Sequence, residues 1–168
     1  MRVFFATVIA VSAYLAYLYL TIMDYWTSQE THDDDGCFRV PTGYPGSEDV
    51  MWLDSEHAIF SSCDLVKLED SNFTIPFGKI MMVDIRGNLR ELERHGFPAK
   101  VAFYPHGLSI WEGRWLYVIN HAFNRGGERV EVFEIRRETG IELHYQQSLV
   151  FPDRMAGALN DLVVIGPG

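Results

Sequence analysis

The sequence predicts an all-β domain carried behind one apolar helix. Two observations give that reading. Residues 3–23 read VFFATVIAVSAYLAYLYLTIM without a charge, and beyond residue 48 short β-branched and aromatic runs alternate with Gly, Asn, Pro and charged turns, with almost no helical period. At 168 residues and 48% hydrophobic content, the chain is long enough to bury a core of ordinary size.

The first run is long enough to cross a bilayer as a helix. A cleaved signal peptide would have a shorter apolar region ending at a small-residue site, whereas here Tyr and Leu continue to Leu20. Residues 1–24 therefore read as an uncleaved signal anchor, with membrane contact through residues 3–23. Arg2 precedes the run, and Asp24 and the acidic Asp33-Asp34-Asp35 follow it, so the positive-inside bias puts the body on the lumenal or extracellular side. The expected address is the secretory pathway, either membrane-anchored or secreted with the segment retained.

Asn72-Phe73-Thr74 is an N-glycosylation sequon, which has meaning only on that route. Cys37 and Cys63 are the two cysteines, and in an oxidising compartment either can enter a disulfide, but two cysteines do not define a framework. A formal charge of −9 and a pI near 5.0 exclude a general nucleic-acid binder and suit a protein that holds hard cations.

Residues 25–47 are rich in Asp, Gly, Ser, Thr and Pro and read as a stalk. Folding is expected from residue 48. Strands are predicted at 50–53, 57–62, 79–85, 100–104, 115–120, 129–135, 141–150 and 162–165. In RVEVFEI the apolar positions Val130, Val132, Phe133 and Ile135 break strict alternation, which marks a slipped register. Many short antiparallel strands at this spacing suit a sandwich, a barrel or a propeller, and spacing does not choose among them.

Three polar groups sit beside apolar strands or Pro/Gly turns instead of in charged runs. Glu48-Asp49 in PGSEDV and Asn160-Asp161 in ALNDLVVIG supply the hard oxygens that calcium prefers, though neither has EF-hand spacing and both also read as a solvated strand start and a turn. His106 lies between Pro105 and Gly107, where a turn can present an imidazole to a cavity; His121 ends the apolar run 115–119. Against that stands a turn histidine bonded to a nearby carbonyl. His32, His57, His95 and His144 have no comparable setting and read as structural or surface residues. No nucleophile elbow, phosphate loop, zinc spacing or dinucleotide fingerprint is present. Ser61-Ser62 lacks a nucleophile context, and Cys63 reads as a small buried residue.

The ordered motifs GSEDV, HAIFSS, GKIMMVDI, FYPHGLSI, LYVINH, RVEVFEI and LNDLVVIGP resemble the paraoxonase/arylesterase family over most of residues 37–168. The resemblance implies a six-bladed β-propeller with two calcium ions in its tunnel, hydrolysing lactones and aryl esters and, in some members, organophosphate triesters. By motif position it implies Glu48 and Asn160 as ligands of a catalytic calcium, and Asp49, Asp161 and the Leu108 carbonyl as ligands of a structural one. His106 matches the family's general base and His121 its partner, while Cys37 matches a half-cystine bonded to a distal Cys. The implied partners are a small ester or lactone, a membrane, and a lipid or lipoprotein surface.

A six-bladed propeller needs about twenty-four strands of about five residues plus turns, more than the roughly 140 residues that follow the anchor. Residues 48–168 are therefore expected to form about the first two blades of a truncated member, inactive as it stands. The competing reading is a non-catalytic anchored β module that binds calcium or a partner.

Overall fold

The computed structural model describes residues 2–23, 43, 46–64, 78–122, 127–138, 140–151 and 159–166. Cys37, the sequon at Asn72 and most of the stalk at 25–47 lie outside them. The chain divides into two compact units, Met1–Phe38 and Arg39–Gly168.

In the first unit, α1 (Arg2–Ile22) runs for 21 residues, about 31 Å at 1.5 Å per residue. Thr21 Oγ1 donates to the Tyr17 carbonyl at 2.8 Å and Met23 N–H to the Tyr19 carbonyl at 2.9 Å, which closes the last turn. Phe5, Ile9, Tyr14, Leu15, Tyr19 and Ile22 are exposed. Among the described residues no helix is long and apolar enough to cross a membrane.

The second unit is all-β. Strands β1 (Val50–Trp52), β2 (His57–Ser62), β3 (Lys79–Asp84) and β4 (Leu89–Glu91) form an antiparallel meander in chain order. Asp84 turns the β3–β4 corner by accepting the N–H groups of Arg86 and Asn88, each at 2.9 Å, with Gly87 at φ 83°. A second sheet has the order β5 (Arg94–His95), β9 (Glu142–Val150), β8 (Gly127–Arg136), β7 (Trp115–Ala122), β6 (Pro105–Trp111). Among the described strands only the β5–β9 pair is parallel.

The sheets share one core. Leu53, Ile59, Ile80, Met82 and Leu92 from the first pack with Phe103, Leu108, Leu116, Val118, Phe133, Ile135 and Leu143 from the second. Alternation of apolar residues on β2, β3, β7 and β8 faces one side inward, and burial of that side supplies the driving force. Strands β1 and β2 also approach β6, so these two sheet edges meet.

Two expected strands are absent. Residues 100–104 form no ladder beyond a single bridge at Phe103, because the side-chain amide of Asn120 accepts from Tyr104 N–H and donates to the Ala102 carbonyl, each at 2.8 Å. The strand starts instead at Pro105. Residues 162–165 are extended but unpaired: Val164 N–H donates to Ser109 Oγ and Leu162 N–H to Asp161 Oδ1, so side-chain oxygens replace ladder partners. The slip in RVEVFEI is present. Val132 pairs with Gln147 and Phe133 with Tyr145, which leaves Gln146 as the extra residue and lets both Val132 and Phe133 be buried.

Candidate functional site

His106 is not on a turn. It belongs to β6, where Pro105 pairs with Asn120 and Leu108 with Val118, so β6 spends three steps where β7 spends two. The extra residue is a bulge at His106-Gly107. Pro is tolerated at the first position of a strand, and a bulge re-aims the side chain it carries.

Gly107 explains how a distant segment reaches this bulge. A Cβ built there would lie 2.7 Å from the Asn160 carbonyl oxygen, 2.8 Å from Asp161 Cα and 3.0 Å from Asp161 Oδ1. Glycine is therefore required for residues 160–161 to lie against β6. On the other side, the segment before β1 is seated by Cys63 N–H donating to the Gly46 carbonyl at 2.9 Å.

These contacts gather three segments around His106. Its Nδ1 lies 2.7 Å from the Asn160 carbonyl oxygen and its Nε2 lies 3.2 Å from Glu48 Oε2. The carbonyl can only accept, so Nδ1 carries the hydrogen and Nε2 is the nitrogen turned toward the Glu48 carboxylate. The His106 side chain is 8% exposed and that of Glu48 46%, so the dyad is shielded at the imidazole and open at the carboxylate. Asp49 Oδ2 accepts from Leu108 N–H at 2.7 Å and its Oδ1 from Val50 N–H at 2.8 Å, which ties β1 to β6 beside the bulge.

His121 packs against His106 with ring centroids 4.6 Å apart at 64°. Its Nδ1 lies 3.0 Å from Glu128 Oε1, and Glu128 Oε2 accepts from Leu159 N–H at 2.6 Å. Burial, with the neighbouring charge of His106 next, holds the His121 imidazole below the ordinary histidine value, although Glu128 and Glu48 pull the other way. Glu128 is a site residue that motif reading missed. The signal was available in the hairpin, because the register that pairs Trp115 with Glu134 also pairs His121 with Glu128.

Behind this pair lies a second buried network. Glu131, fully buried, accepts from Asn120 Nδ2 at 2.8 Å and from the Ser148 hydroxyl. Asn120, next to His121 on β7, thereby ties the chain that leads into β6 to Glu131 on β8.

The structure thus brings Glu48, Asp49, His106, Leu108, His121, Asn160 and Asp161 to one sheet edge. The oxygen donors there, carboxylates and amide or backbone carbonyls, fit a hard divalent cation in type. They are not drawn together as a preformed cage: among the described residues, the one group of three or more His, Cys, Asp or Glu ligand atoms within 4.8 Å of one another is His95, Glu142 and His144. Cys63 is a free, buried thiol, pushed up to about 11 chiefly by burial, as befits an inert core residue.

A family profile described as Arylesterase matches residues 39–168. The chain belongs to the arylesterase family, a family of hydrolases. No individual curated protein matches the chain. The arylesterase match spans the whole β unit and excludes α1. Its range includes every residue of the cluster around His106.

Proposed function

We propose that this arylesterase-family chain supplies part of the active site of a calcium-dependent hydrolase of lactones and aryl esters. In this reading the β1–β4 and β6–β9 meanders are two successive blades of a six-bladed propeller. Each is a four-stranded antiparallel unit, as a blade must be. Glu48 and Asn160 would hold a catalytic calcium, and Asp49, Asp161 and the Leu108 carbonyl a structural one. When bound, such an ion polarises the substrate carbonyl and stabilises the oxyanion.

The protein groups perform the proton transfer. With Nδ1–H committed to the Asn160 carbonyl, His106 Nε2 removes the proton of the attacking water. His121, anchored through Nδ1 by Glu128 and kept neutral by burial, supports the His106 ring without competing for the proton. The single observation that carries the proposal is the convergence of Glu48, His106 and Asn160 from three separate segments on one imidazole.

The test is hydrolysis of an aryl ester and of a lactone with calcium or with a chelator. Chelation should abolish turnover, and His106→Gln should lower kcat by about 10²–10⁴-fold, the usual contribution of a general base. Chelator-insensitive hydrolysis rejects the reading. Thermal stabilisation by calcium without turnover selects the calcium-binding module instead.

Membrane attachment through residues 3–23, a lumenal or extracellular body and glycosylation at Asn72 are proposed with this function. What supports attachment is the 21-residue α1 with its exposed aliphatic and aromatic side chains. Release of the protein from membranes by alkaline carbonate would reject it.

A further inference from the structure

Strands β5 and β9 carry the same tripeptide pattern side by side. Glu93-Arg94-His95 and Glu142-Leu143-His144 both read Glu-x-His. The strands are parallel, with Arg94 opposite Leu143 and His95 opposite His144, and Leu143 N–H donates to the Glu93 carbonyl at 3.0 Å. Because side chains alternate along a strand, both glutamates and both histidines fall on one face. Leu143 turns the other way into the core, and the Arg94 guanidinium lies 4.1 Å over the Phe103 ring.

On the shared face the polar atoms point at one another. His95 Nε2 lies 3.5 Å from Glu142 Oε2 and 3.5 Å from Glu93 Oε2, and His144 Nε2 lies 3.3 Å from Glu142 Oε2. The two imidazoles stack with centroids 4.8 Å apart. His95 Nε2 is shut off from solvent and has no hydrogen-bond partner among the described residues. A solvent-shielded ring nitrogen that faces two carboxylates without hydrogen-bonding either is disposed to ligate a Lewis acid.

We infer that His95, His144 and Glu142 form a three-ligand binding site for a divalent transition metal of the zinc type, with the exposed Glu93 beside His95. Zinc takes imidazole nitrogen and carboxylate oxygen at about 2.0–2.1 Å in a tetrahedron, which sets its ligand atoms about 3.3–3.4 Å apart. The three measured separations already approach that edge length, and the ligand atoms of His95, Glu142 and His144 all lie within 4.8 Å of one another. Glu93 and His95 also line a cavity of about 410 Å³ on the β5 side of the cluster. Two nitrogens favour zinc over calcium, whose preference is for oxygen alone. The site is separate from the His106 cluster: β5 and β6 are the opposite edges of a five-stranded sheet, about 19 Å apart at 4.8 Å per strand. Bound there, the metal would clamp the short β5 to β9.

The test is calorimetric titration of the full chain with zinc in excess calcium, beside His95→Ala, His144→Ala and the control His57→Ala. Zinc should bind in a single equivalent, and both ligand variants should weaken it at least about tenfold, the smaller end of what even supporting residues contribute to a metal site. The control should bind as the parent does. Cobalt added to the unmutated chain should give the intense visible bands of tetrahedral coordination, a readout that needs no variant to fold. Equal zinc affinity in the parent and both ligand variants, or cobalt spectra of the hydrated ion, overturns the inference.

Discussion

The molecule carries two histidine pairs at opposite edges of one sheet, and they are built in opposite ways. At the β6–β7 edge, His106 and His121 are buried and each has a carboxylate and a backbone setting that directs it: Asn160 and Glu48 for one, Glu128 for the other. At the β5–β9 edge, His95 and His144 are partly exposed, stack on each other, and face carboxylates at looser distances. The first pair is organised by the protein alone. The second turns a ring nitrogen with no hydrogen-bond partner among the described residues toward two carboxylates, whereas the first fixes each ring by a short contact.

The largest effect should come from removing the carboxylate that organises the first pair. Glu128→Ala strips the buried carboxylate acceptor from His121 Nδ1–H and Leu159 N–H together, and each shielded donor left unsatisfied costs roughly 1–3 kcal/mol. Its counterpart Glu142→Ala removes a carboxylate that is 36% exposed at 3.3–3.5 Å from its histidines, where an exposed pair contributes about 0–1 kcal/mol. Urea unfolding of both variants in metal-free buffer measures the contrast. Equal losses would erase the proposed distinction between the two edges.

The next effect tests how the first edge is assembled. In Gly107→Ala the new methyl meets the Asn160 carbonyl at 2.7 Å, and backbone cannot retreat as a flexible side chain can. A loss of about 1–3 kcal/mol is expected from such overpacking, together with weaker protection of the 159–161 amides in hydrogen exchange. A stability unchanged within error would mean that residues 160–161 do not rest on the bulge.

The third prediction concerns pH. The folded-state value of His121 is lowered, first by burial and next by His106, so protonation favours the unfolded chain. Stability is then unaffected by this group above the ordinary histidine value of about 6.5 and declines as pH falls through that value toward the folded one. Glu128 and Glu48, which also face the ring, pull in the other direction and limit the decline. Replacing His121 with Asn should flatten the curve of melting temperature between about pH 7 and 5.5. A parent curve already flat over that range would contradict the assignment.

Much of this was readable in the residues, and the failures have physical causes. The β class, β1, β2, β3, β9 and most of β7 and β8 follow from alternation and β-branched content, and the Val132–Phe133 slip follows from two adjacent apolar residues that must both be buried. The strand at 105–111 was displaced because Pro105 and Gly107 look like a turn, whereas a bulge uses both inside a ladder. Residues 162–165 are apolar enough to read as a strand, yet their N–H groups are taken by Ser109 and Asp161 side chains. His106 and His121 were legible as a pair through local context. Glu128 and the His95–His144 pair were not, because each depends on cross-strand register, and the β5–β9 register joins residues about fifty apart with no hairpin to announce it.

The smallest effect is the most selective. Without added metal, His144→Ala removes a ring that is 25% exposed and a 3.3 Å contact to a partly exposed carboxylate, so the change in stability should stay below about 1 kcal/mol. With zinc present the parent should gain stability in proportion to the logarithm of free zinc over its dissociation constant, while the variant gains little. The same addition should leave Glu128→Ala as far below the parent as before, because its defect lies at the opposite end of the β8–β9 ladder from the metal ligands. If zinc instead rescued Glu128→Ala, the two edges would be coupled through β7, β8 and β9, and the separation of the two histidine pairs would have to be abandoned.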